Sequence, residues 1–439
     1  LGRVYHKNAE IEKALTEFNN YRSKELNPDK LKESRVDVYI AQCDAAKESM
    51  SKPVNVTIEN MGGSINSLYD DKTPSVSADG KTFIFNTRRP AGKTSVVDMQ
   101  ADGKYYDDVY VSYWDEVNKK WADAEPVAGS INTDSYDACT SISPDGKQIY
   151  LYKNIEFKTK SGDIYVSKFG ASGKWQTPQP IGGKINTNYY EDGACLSPDG
   201  NTLYFVSERK GGLGKSDIYM SQRISNDDWQ EPVNIGSVVN TPEDEVGLFM
   251  ASDGRTLFFS SEGHNSIGSY DIFKTIYEDG QWSKPVNLGY PINSVRRDGP
   301  LVITTDGKTG YFSSERKGGL GETDIYKVDL SGYSILQKTE KAKSTGGGTG
   351  LSIIKGMVID SEAGQAVETE IIILDETGKK ITSVMSNNDG DYFVTLPGDK
   401  KYEIKVETKQ HKPFAEKIYL SIDKEGTYTI VKDVLLHRK

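Results

Sequence analysis

The chain has 439 residues and a formal net charge of −10, and this length accommodates two or three domains. The negative charge would repel a phosphate backbone and no basic aromatic stripe offsets it, which excludes nucleic acid as a partner. No apolar run approaches the ~20 residues of a membrane-spanning helix. The three cysteines are too few and too scattered for a disulfide framework, and we expect them to be buried as small apolar side chains.

The first fifty residues carry a helical pattern. Asn27-Pro28 ends the first helix, and Leu31 to Met50 can form a second, capping helix. Leu1-Gly2-x-x-Tyr5, followed by Ala14, resembles the second half of a tetratricopeptide repeat. We therefore predict a partial tetratricopeptide-like segment at residues 1–50, and we expect the sequence to belong to a longer chain. The apolar face of the first helix consists of Ile11, Leu15, Phe18 and Tyr21.

Residues 52–333 repeat one pattern five times. Each unit contains an aliphatic residue and Asn, an acidic residue, an Asp-Gly step, an apolar strand, and Asp-Ile-Tyr or a close variant. Four of the units end in a Trp strand. The near-constant period means that one supersecondary unit has been copied. The Asp-Gly steps begin at Asp79, Asp145, Asp199, Asp253 and Asp306, at spacings of 66, 54, 54 and 53 residues.

Each unit is predicted to form four antiparallel strands. The Asp-Gly step supplies the positive-φ turn of a tight hairpin between the first two strands. Four-stranded units of this length are typical of propeller blades, which must pack side by side in a ring. The count predicts a five-bladed β-propeller. Six blades are the alternative if residues 90–106, which lengthen the first unit, form extra structure.

The last unit lacks its Trp strand, because the chain continues from Asp324-Ile-Tyr326 without a Trp-x-x-Pro motif. Before the first unit, Lys52-Pro-Val-Asn55 matches Lys284-Pro-Val-Asn287. We therefore predict that residues 52–56 complete the sheet that contains residues 324–328. The ring would then be closed by its own two ends.

The C-terminal part is predicted to be a second β domain. Residues 337–352 are rich in Lys, Thr and Gly and are expected to form a flexible linker. Residues 353–439 alternate between apolar and polar positions, as half-buried strands do. Their order resembles the carboxypeptidase regulatory-like domain, which implies a small transthyretin-like β-sandwich.

An acidic residue follows each repeated Asn by five positions, at the entry to the first strand of each unit. First strands are innermost in a propeller, so these side chains should surround one mouth of the central channel. Like charges there need compensation from a cation, from backbone amides or from arginines such as Arg296 and Arg297. A structural clasp between blades and a cation or ligand site both remain open. The five residues are Asp71, Asp137, Glu191, Glu245 and Asp298.

Catalytic motifs are not found in the sequence. The four histidines have no metal-ligand spacing, and Gly-x-Ser-x-Gly is absent. The Asp of each Asp-Ile-Tyr step is expected to accept hydrogen bonds from the preceding Gly-rich loop. The period predicts that the repeated Trp residues pack between blades, while Trp114 lies outside the period and is the candidate for an exposed aromatic. We predict no enzyme activity and no cofactor, apart from a structural cation at the carboxylates.

The repeat resembles two known versions of the propeller unit. Ser-Pro-Asp-Gly followed by Arg-Lys-Gly-Gly-Leu-Gly-x-x-Asp-Ile-Tyr, at residues 209–219 and 316–326, is similar to the WD-like repeat of TolB-type proteins. The Gly-Gly-x-Gly form is similar to that of Bacteroidetes OmpA-family envelope proteins. Tetratricopeptide, propeller and regulatory-like domains in this order also resemble that family.

The family resemblance implies a non-catalytic protein-interaction scaffold of the periplasm. It would be tethered to the outer membrane in the full-length protein and would belong to the type IX secretion machinery. Expected partners are envelope or secretion-system proteins, and peptidoglycan through a domain that this sequence lacks. The alternative is a carbohydrate or peptidoglycan-fragment binder that uses the channel mouth and the Tyr-rich loops, since the chain contains 26 tyrosines.

Overall fold

The structure is a computed structural model, and the part of the chain that it describes is mainly β with four helices. It describes residues 1–90, 96–99, 102–154, 162–170, 172–182, 184–225, 228–336, 351–387, 389–421 and 428–439. Among the helices of these ranges, none combines the length and the apolar character needed to cross a membrane.

The N-terminal segment contains four helices, and one helix that the sequence predicts is divided in two. They are α1 (Gly2–Lys7), α2 (Ile11–Lys24), α3 (Pro28–Ser34) and α4 (Val36–Ser51). The predicted break at Asn27-Pro28 is confirmed, because the Asn27 side chain caps α3 by accepting the N–H groups of Asp29 and Lys30. The single helix predicted from Leu31 to Met50 is wrong. It is divided at Arg35, whose left-handed backbone (φ 54°) interrupts the helix.

Five antiparallel sheets follow, and each begins at one of the repeated units. The first strand is β1 (Thr57–Asn60), and sheet one contains β2 (Asp71–Val76), β3 (Thr82–Thr87), β4 (Asp108–Asp115), β5 (Lys120–Trp121) and β6 (Glu125–Pro126). Sheet two contains β7 (Asp137–Ile142), β8 (Gln148–Lys153), β9 (Asp163–Lys168) and β10 (Gln179–Pro180). Sheet three contains β11 (Glu191–Leu196), β12 (Thr202–Ser207), β13 (Asp217–Ser225), β14 (Asp228–Trp229) and β15 (Val233–Asn234). Sheet four contains β16 (Glu245–Met250), β17 (Thr256–Ser261), β18 (Asp271–Glu278), β19 (Gln281–Trp282) and β20 (Val286–Asn287), and sheet five contains β21 (Asp298–Ile303), β22 (Thr309–Ser314), β23 (Asp324–Asp329) and β1.

The five sheets close into a ring. Their first strands contact one another in the order β2, β7, β11, β16, β21 and back to β2, so these strands are innermost. We call the junction of two consecutive sheets a seam. Each seam holds its own apolar core; at the seam of sheets five and one, for example, Phe83 and Trp121 pack against Val302 and Tyr311. Stability therefore depends on contacts between neighbouring sheets rather than on one central core.

The predicted hairpin turns are confirmed. The glycines of the five Asp-Gly steps have φ values from 67° to 73°, a region that favours glycine. The insertion at residues 90–106 does not add a sheet in its described part, where the only strand pairing is one isolated bridge between Val97 and Tyr105. The rest of the insertion, residues 91–95 and 100–101, lies outside the described residues.

A strand from before the first unit completes sheet five, as predicted, but the predicted residues 52–56 are wrong. The pairing strand is β1, and Asn60 lies opposite Tyr326. The reason is a hydrogen-bond network that fixes how many residues separate the paired strand from the repeated Asn. Asn60 contacts Asp324 and Asn66 in the way that Asn287 contacts Asp271 and Asn293, six residues before the repeated Asn in both cases. The Lys-Pro-Val-Asn match is out of register with this network.

Residues 351–439 form two further sheets around one apolar core. The strands are β24 (Leu351–Asp360), β25 (Glu370–Asp375), β26 (Lys380–Met385), β27 (Asp391–Pro397), β28 (Lys400–Val406), β29 (Phe414–Leu420), β30 (Tyr428–Val431) and β31 (Val434–Leu436). One sheet has the order β27-β24-β30 with β31 beside β24, and the other has the order β26-β25-β28-β29. The first strand begins at Leu351, two residues before the predicted domain boundary. The linker predicted at residues 337–352 lies outside the described residues up to position 350.

This C-terminal module touches the face of the ring that carries the Asp-Gly turns. The Asn201 amide donates to the Ser383 carbonyl at 2.7 Å, and Lys147 pairs with Asp391. The Thr395 hydroxyl also donates to the Ser252 carbonyl at 3.3 Å. A small cavity of about 80 Å³ lies at this junction. The apolar core of the module contains no residue of the ring, so the described contacts are mainly polar.

Replacing Asn60 by alanine tests the closure of the ring. The variant loses hydrogen bonds to Asp324, Gly62 and Asn66, which should lower the free energy of unfolding by about 1–3 kcal/mol in urea titrations. The control, Asn234→Ala, loses the same three bonds within sheet three. Because β1 is the strand by which the N-terminal end of the ring completes sheet five, Asn60→Ala should be the more damaging variant. Equal losses in the two variants would contradict this role.

Cleavage within residues 337–350 tests how firmly the module is attached. Half-exposed ion pairs such as Lys147–Asp391 contribute at most about 1 kcal/mol each, so an engineered protease site there should release a folded module. Size-exclusion chromatography at raised salt would show two separate species, each with the circular dichroism of β structure. Coelution of the cut pieces at both low and high salt would mean that the module and the ring form one rigid surface.

Candidate functional site

The five acidic residues at the strand entries, here the entry carboxylates, are not open to the channel. Every one of them is fully buried. In each sheet a Ser or Thr four positions earlier donates both its backbone N–H and its hydroxyl to the carboxylate, at 2.5–2.9 Å. These donors are Ser67, Thr133, Thr187, Thr241 and Ser294. Each entry carboxylate therefore orders the loop that leads into its own strand.

Basic side chains compensate four of the five entry carboxylates. Arg89 reaches Asp71 at 2.7 Å, Arg316 reaches Asp298 at 3.0 Å, and Arg209 lies 3.6 Å from Glu191. Lys153 pairs with Asp137. Each arginine also donates to the carbonyl of the aliphatic residue that precedes the repeated Asn of its sheet.

The two arginines suggested by the sequence have other partners. Arg296 donates to the carbonyls of Lys7 and Glu315, and Arg297 stacks on the Tyr270 ring with its guanidinium carbon 4.5 Å from the centroid. The expectation that they compensate the entry carboxylates is therefore wrong. Arg296 and Arg297 lie in the loop between β20 and β21, whereas Arg316 follows the end of β22 and reaches Asp298 from there.

Glu245 differs from the other four. Among the described residues, no basic side chain lies within ion-pair distance of its carboxylate, which is held by Thr241 and by the Ser261 hydroxyl at 2.9 Å. Burial raises its pKa to about 7, helped by the nearby Asp217 and opposed by these hydrogen bonds. The position that carries arginine in sheets one, three and five is Gly263 here, and a Cβ on it would lie 2.4 Å from the Thr241 hydroxyl oxygen.

The aspartates at the start of each third strand, here the loop aspartates, behave as predicted in three sheets. Asp217 accepts the N–H groups of Leu213 and Gly214 in the preceding Gly-rich loop. Asp271 and Asp324 accept equivalent pairs of N–H groups. The other two are Asp108 and Asp163; burial raises the pKa of both, in the case of Asp108 to about 6.

Loop aspartates lie near the entry carboxylates of the following sheet. Asp298 raises the pKa of Asp271, where burial is the larger cause and the resulting pKa is about 8. Burial is also the larger cause for Asp108, followed by Asp137. Each such seam therefore places two acids near each other, and the nearby negative charge raises the pKa of one of them. The pairs are Asp108/Asp137, Asp163/Glu191, Asp217/Glu245 and Asp271/Asp298.

The clasp between sheets comes from the repeated asparagines rather than from the entry carboxylates. Each side chain accepts the N–H and donates to the C=O of one residue on the third strand of the preceding sheet, at 2.8–3.1 Å. The pairs are Asn66–Ile325, Asn132–Val109, Asn186–Ile164, Asn240–Ile218 and Asn293–Ile272. All five seams are thus joined in the same way.

The described residues offer no metal centre. No group of three or more His, Cys, Asp or Glu side chains among them is placed to hold an ion. Cys43, Cys139 and Cys195 are buried and free, and burial raises the pKa of all three thiols. Trp114 is half-buried and meets Trp121 edge-on, so the expectation of an exposed aromatic there is wrong.

A histidine chain in the C-terminal module was not anticipated. His411 is buried between the Thr408 hydroxyl, at 2.8 Å, and the Asp360 carboxylate, at 3.2 Å. Asp360 also accepts the Arg438 guanidinium and two backbone N–H groups. These contacts join the two ends of the module, and the buried Thr-His-Asp chain resembles a catalytic triad in composition only.

A polar and aromatic cluster lies near the seam of sheets one and two. The rings of Tyr106 and Tyr136 meet edge-on, with centroids 4.6 Å apart. Lys72 pairs with Asp107 at 3.2 Å. Three buried polar atoms of this region have no hydrogen-bond partner. They are Asp192 Oδ1 and the two atoms Arg88 Nε and Asp107 Oδ1, which form an ion pair with each other at 3.7 Å. The cluster therefore combines aromatic rings with buried polar and charged groups.

Comparisons with known proteins give distant structural similarity. No protein-family model matches the chain, and no curated protein matches it. The periplasmic gluconolactonase PpgL of Pseudomonas aeruginosa is similar with a TM-score of 0.34 and 12% identity, covering 80% of this chain and 86% of that one. An Agrobacterium tumefaciens protein assigned as TolB gives 0.36 and 15% over 78% and 98% of the two chains. TolB from Acinetobacter baumannii gives 0.32 and 14% over 60% and 55%. At these scores the similarities assign no activity.

Replacing Glu245 by glutamine should change how stability depends on pH. The folded protein keeps a proton on this carboxyl that the unfolded chain releases above about pH 4.5. The contribution is therefore full at low pH and is lost as pH rises through about 7. Urea unfolding between about pH 5 and pH 8 should give a flatter profile for the variant, by roughly 1–3 kcal/mol.

The matched control for this prediction is Glu191→Gln. Its carboxylate faces Arg209, so the neutral side chain leaves a buried guanidinium without its charged partner and should lower stability across the range. A Glu245→Gln profile that runs parallel to that of the wild type would show that Glu245 does not hold a proton in the folded protein.

Proposed function

We propose that this protein is a non-catalytic scaffold that binds other proteins of the bacterial envelope. In this proposal the five sheets are the blades of a five-bladed β-propeller. Residues 1–51 are a partial tetratricopeptide-like segment, and residues 351–439 are a carboxypeptidase regulatory-like sandwich. The motifs of the repeat and the order of the three parts support this architecture.

The observation that carries the proposal is the use of the repeated polar residues. The entry carboxylates, most loop aspartates and all five repeated asparagines are occupied by hydrogen bonds within the chain. A reactive site would need such groups free and differentiated. The repeats instead build a frame, and one face of that frame carries the C-terminal module while the helices pack on the loops that include Ile267 and Val295. Attached modules on a rigid frame suit a protein that assembles partners.

The envelope location rests on the resemblance to Bacteroidetes OmpA-family proteins, which include PorE of the type IX secretion system. By that resemblance the protein is periplasmic and tethered to the outer membrane. It would contact secretion-system proteins directly and peptidoglycan through a separate OmpA-type domain. No cofactor is required for such a role.

A second candidate function is the binding of a carbohydrate or peptidoglycan fragment. The cluster at the seam of sheets one and two supports it, because tyrosine rings and buried polar groups suit a ligand with many hydroxyl groups. This site would lie near the innermost strand β2, which carries Lys72.

Two assays on the intact protein separate these functions. Immobilised protein should retain a defined set of envelope proteins from a Bacteroidetes membrane extract, identified by mass spectrometry, and a glycan array should give no signal. The variant Tyr106→Ala should leave the retained set unchanged, as should the control Tyr113→Ala, which alters an exposed tyrosine on β4. A glycan signal that Tyr106→Ala abolishes and Tyr113→Ala preserves would replace the scaffold with the carbohydrate binder.

A further inference from the structure

The second strand of each sheet places one residue directly opposite the entry carboxylate of the first strand. This residue carries a hydroxyl group in sheets one, three, four and five, and in sheets three to five the hydroxyl donates to the carboxylate at 2.6–2.9 Å. In sheet two the residue is lysine. The sequence thus exchanges a hydroxyl group for a primary amine at one of five equivalent positions. The residues are Thr87, Lys153, Ser207, Ser261 and Ser314.

The amine of Lys153 lies in the interior of the ring. Lys153 is 5% exposed, Asp137 is fully buried, and the Lys153 Nζ contacts Asp137 Oδ1. A further described acceptor of Nζ is the Ile131 carbonyl, at 3.4 Å, and Ile131 belongs to the apolar core of this seam. Burial raises the pKa of the Asp137 carboxyl, against the opposing effect of Lys153. Because burial disfavours the charged form of both partners, it lowers the cost of moving the proton from the ammonium to the carboxylate.

The carboxyl group of Asp137 is held in a fixed orientation. Its second oxygen, Oδ2, accepts the N–H of Thr133 at 2.5 Å and the Thr133 hydroxyl at 2.7 Å. Attack by an amine on Cγ would place negative charge on an oxygen, and Oδ2 already has two donors that stabilise such a charge. Equivalent donors are present in every sheet. Of the five described entry carboxylates, however, only Asp137 faces an amine on the neighbouring strand.

A second acid lies near this pair. Asp108 begins β4 in sheet one, and its pKa is raised to about 6, first by burial and then by Asp137. A carboxyl group that titrates near neutral pH can accept a proton from one group and deliver it to another. Asp108 is therefore suited to carry a proton from the Lys153 nitrogen to an oxygen that leaves Asp137.

We propose that the Lys153 amine and the Asp137 carboxyl condense to an amide bond that links β7 to β8 in the mature protein. The neutral nitrogen attacks Cγ, a C–N bond forms, the Cγ–Oδ1 bond breaks, and Oδ1 leaves as water. Asp108 takes one proton from the nitrogen and returns it to the leaving oxygen, so the step needs no oxidant, reductant or cofactor. The ion pair in the structure is the state before this step.

The amide bond would replace the arginine that compensates the entry carboxylate in other sheets. That arginine lies two positions after the hydroxyl residue in sheets one, three and five, and the same position in sheet two is Ile155 by sequence. Condensation removes the two buried charges of the pair and joins the strands covalently at the same point. This inference does not depend on the scaffold function, because it concerns the construction of the ring.

Electrospray mass spectrometry of the intact, denatured protein tests the proposal. One amide bond removes one water molecule, so the measured mass should lie below the mass calculated from the sequence by that of one water. Trypsin should no longer cut after Lys153, and the digest should contain one branched peptide that joins the segment carrying Asp137 to the segment carrying Lys153. A wild-type mass equal to the calculated mass would overturn the proposal.

Lys153→Arg is the control, because it keeps a positive charge opposite Asp137 but has no primary amine. Its mass should equal the calculated value, and a water loss that persists in this variant would overturn the proposal, since the dehydration would then lie elsewhere. Asp108→Asn should slow the reaction at least ~10-fold when the protein from a cell-free synthesis is weighed over time. Its matched control, Asp163→Asn, alters the equivalent aspartate beside Glu191 and should leave the rate unchanged. Equal rates in these two variants would overturn the role given to Asp108.

Discussion

The ring depends on one interaction that is repeated at every seam, in which an asparagine amide pairs with the backbone of the preceding sheet. Apolar packing between sheets supplies most of the stability but is not directional, so it does not by itself fix how one sheet is placed against the next. The amide offers a donor and an acceptor to a single residue, as a neighbouring strand would. Asn66 makes this contact with Ile325 across the junction of the chain ends. The closing strand and the loops at each seam are positioned by it.

The position of the seam asparagine also explains the entry carboxylates. The loop between the seam asparagine and the first strand is short, and its N–H groups need acceptors. A carboxylate five residues after the asparagine accepts one of them together with a hydroxyl, but it then needs compensation for its own burial. Arginine provides this in sheets one, three and five and lysine in sheet two. In sheet four no described basic side chain faces Glu245, and burial raises the pKa of its carboxyl to about 7.

Much of this frame could be predicted from the sequence, because the residues that build it recur with a near-constant period. The Asp-Gly turns and the contribution of an N-terminal strand to sheet five were predicted correctly. The similarity of Lys52-Pro-Val-Asn55 to Lys284-Pro-Val-Asn287 predicts the strand at residues 52–56. The decisive signal is instead the separation of six residues between Asn60 and Asn66. The Ser or Thr after every repeated Asn was also visible and identifies the partner of each carboxylate. The break at Arg35 could not be predicted, because a left-handed arginine has no sequence signature.

The burial of equivalent seam residues depends on tertiary contacts that the sequence repeat does not reveal. Ile267 with Val295 and Leu320 with Leu68 are equivalent pairs of similar apolarity, and nothing local distinguishes the pair that is covered from the pair that is exposed. Which pair is covered depends on where the chain enters the ring. The helices come directly before β1, and Ser49 and Val54 lie beside the loop that follows β20. A fivefold repeat thus acquires unequal surfaces through its attachments. Because the repeated polar residues are used within the frame, the seams differ in the side chains that vary between them and in what the rest of the chain packs against them.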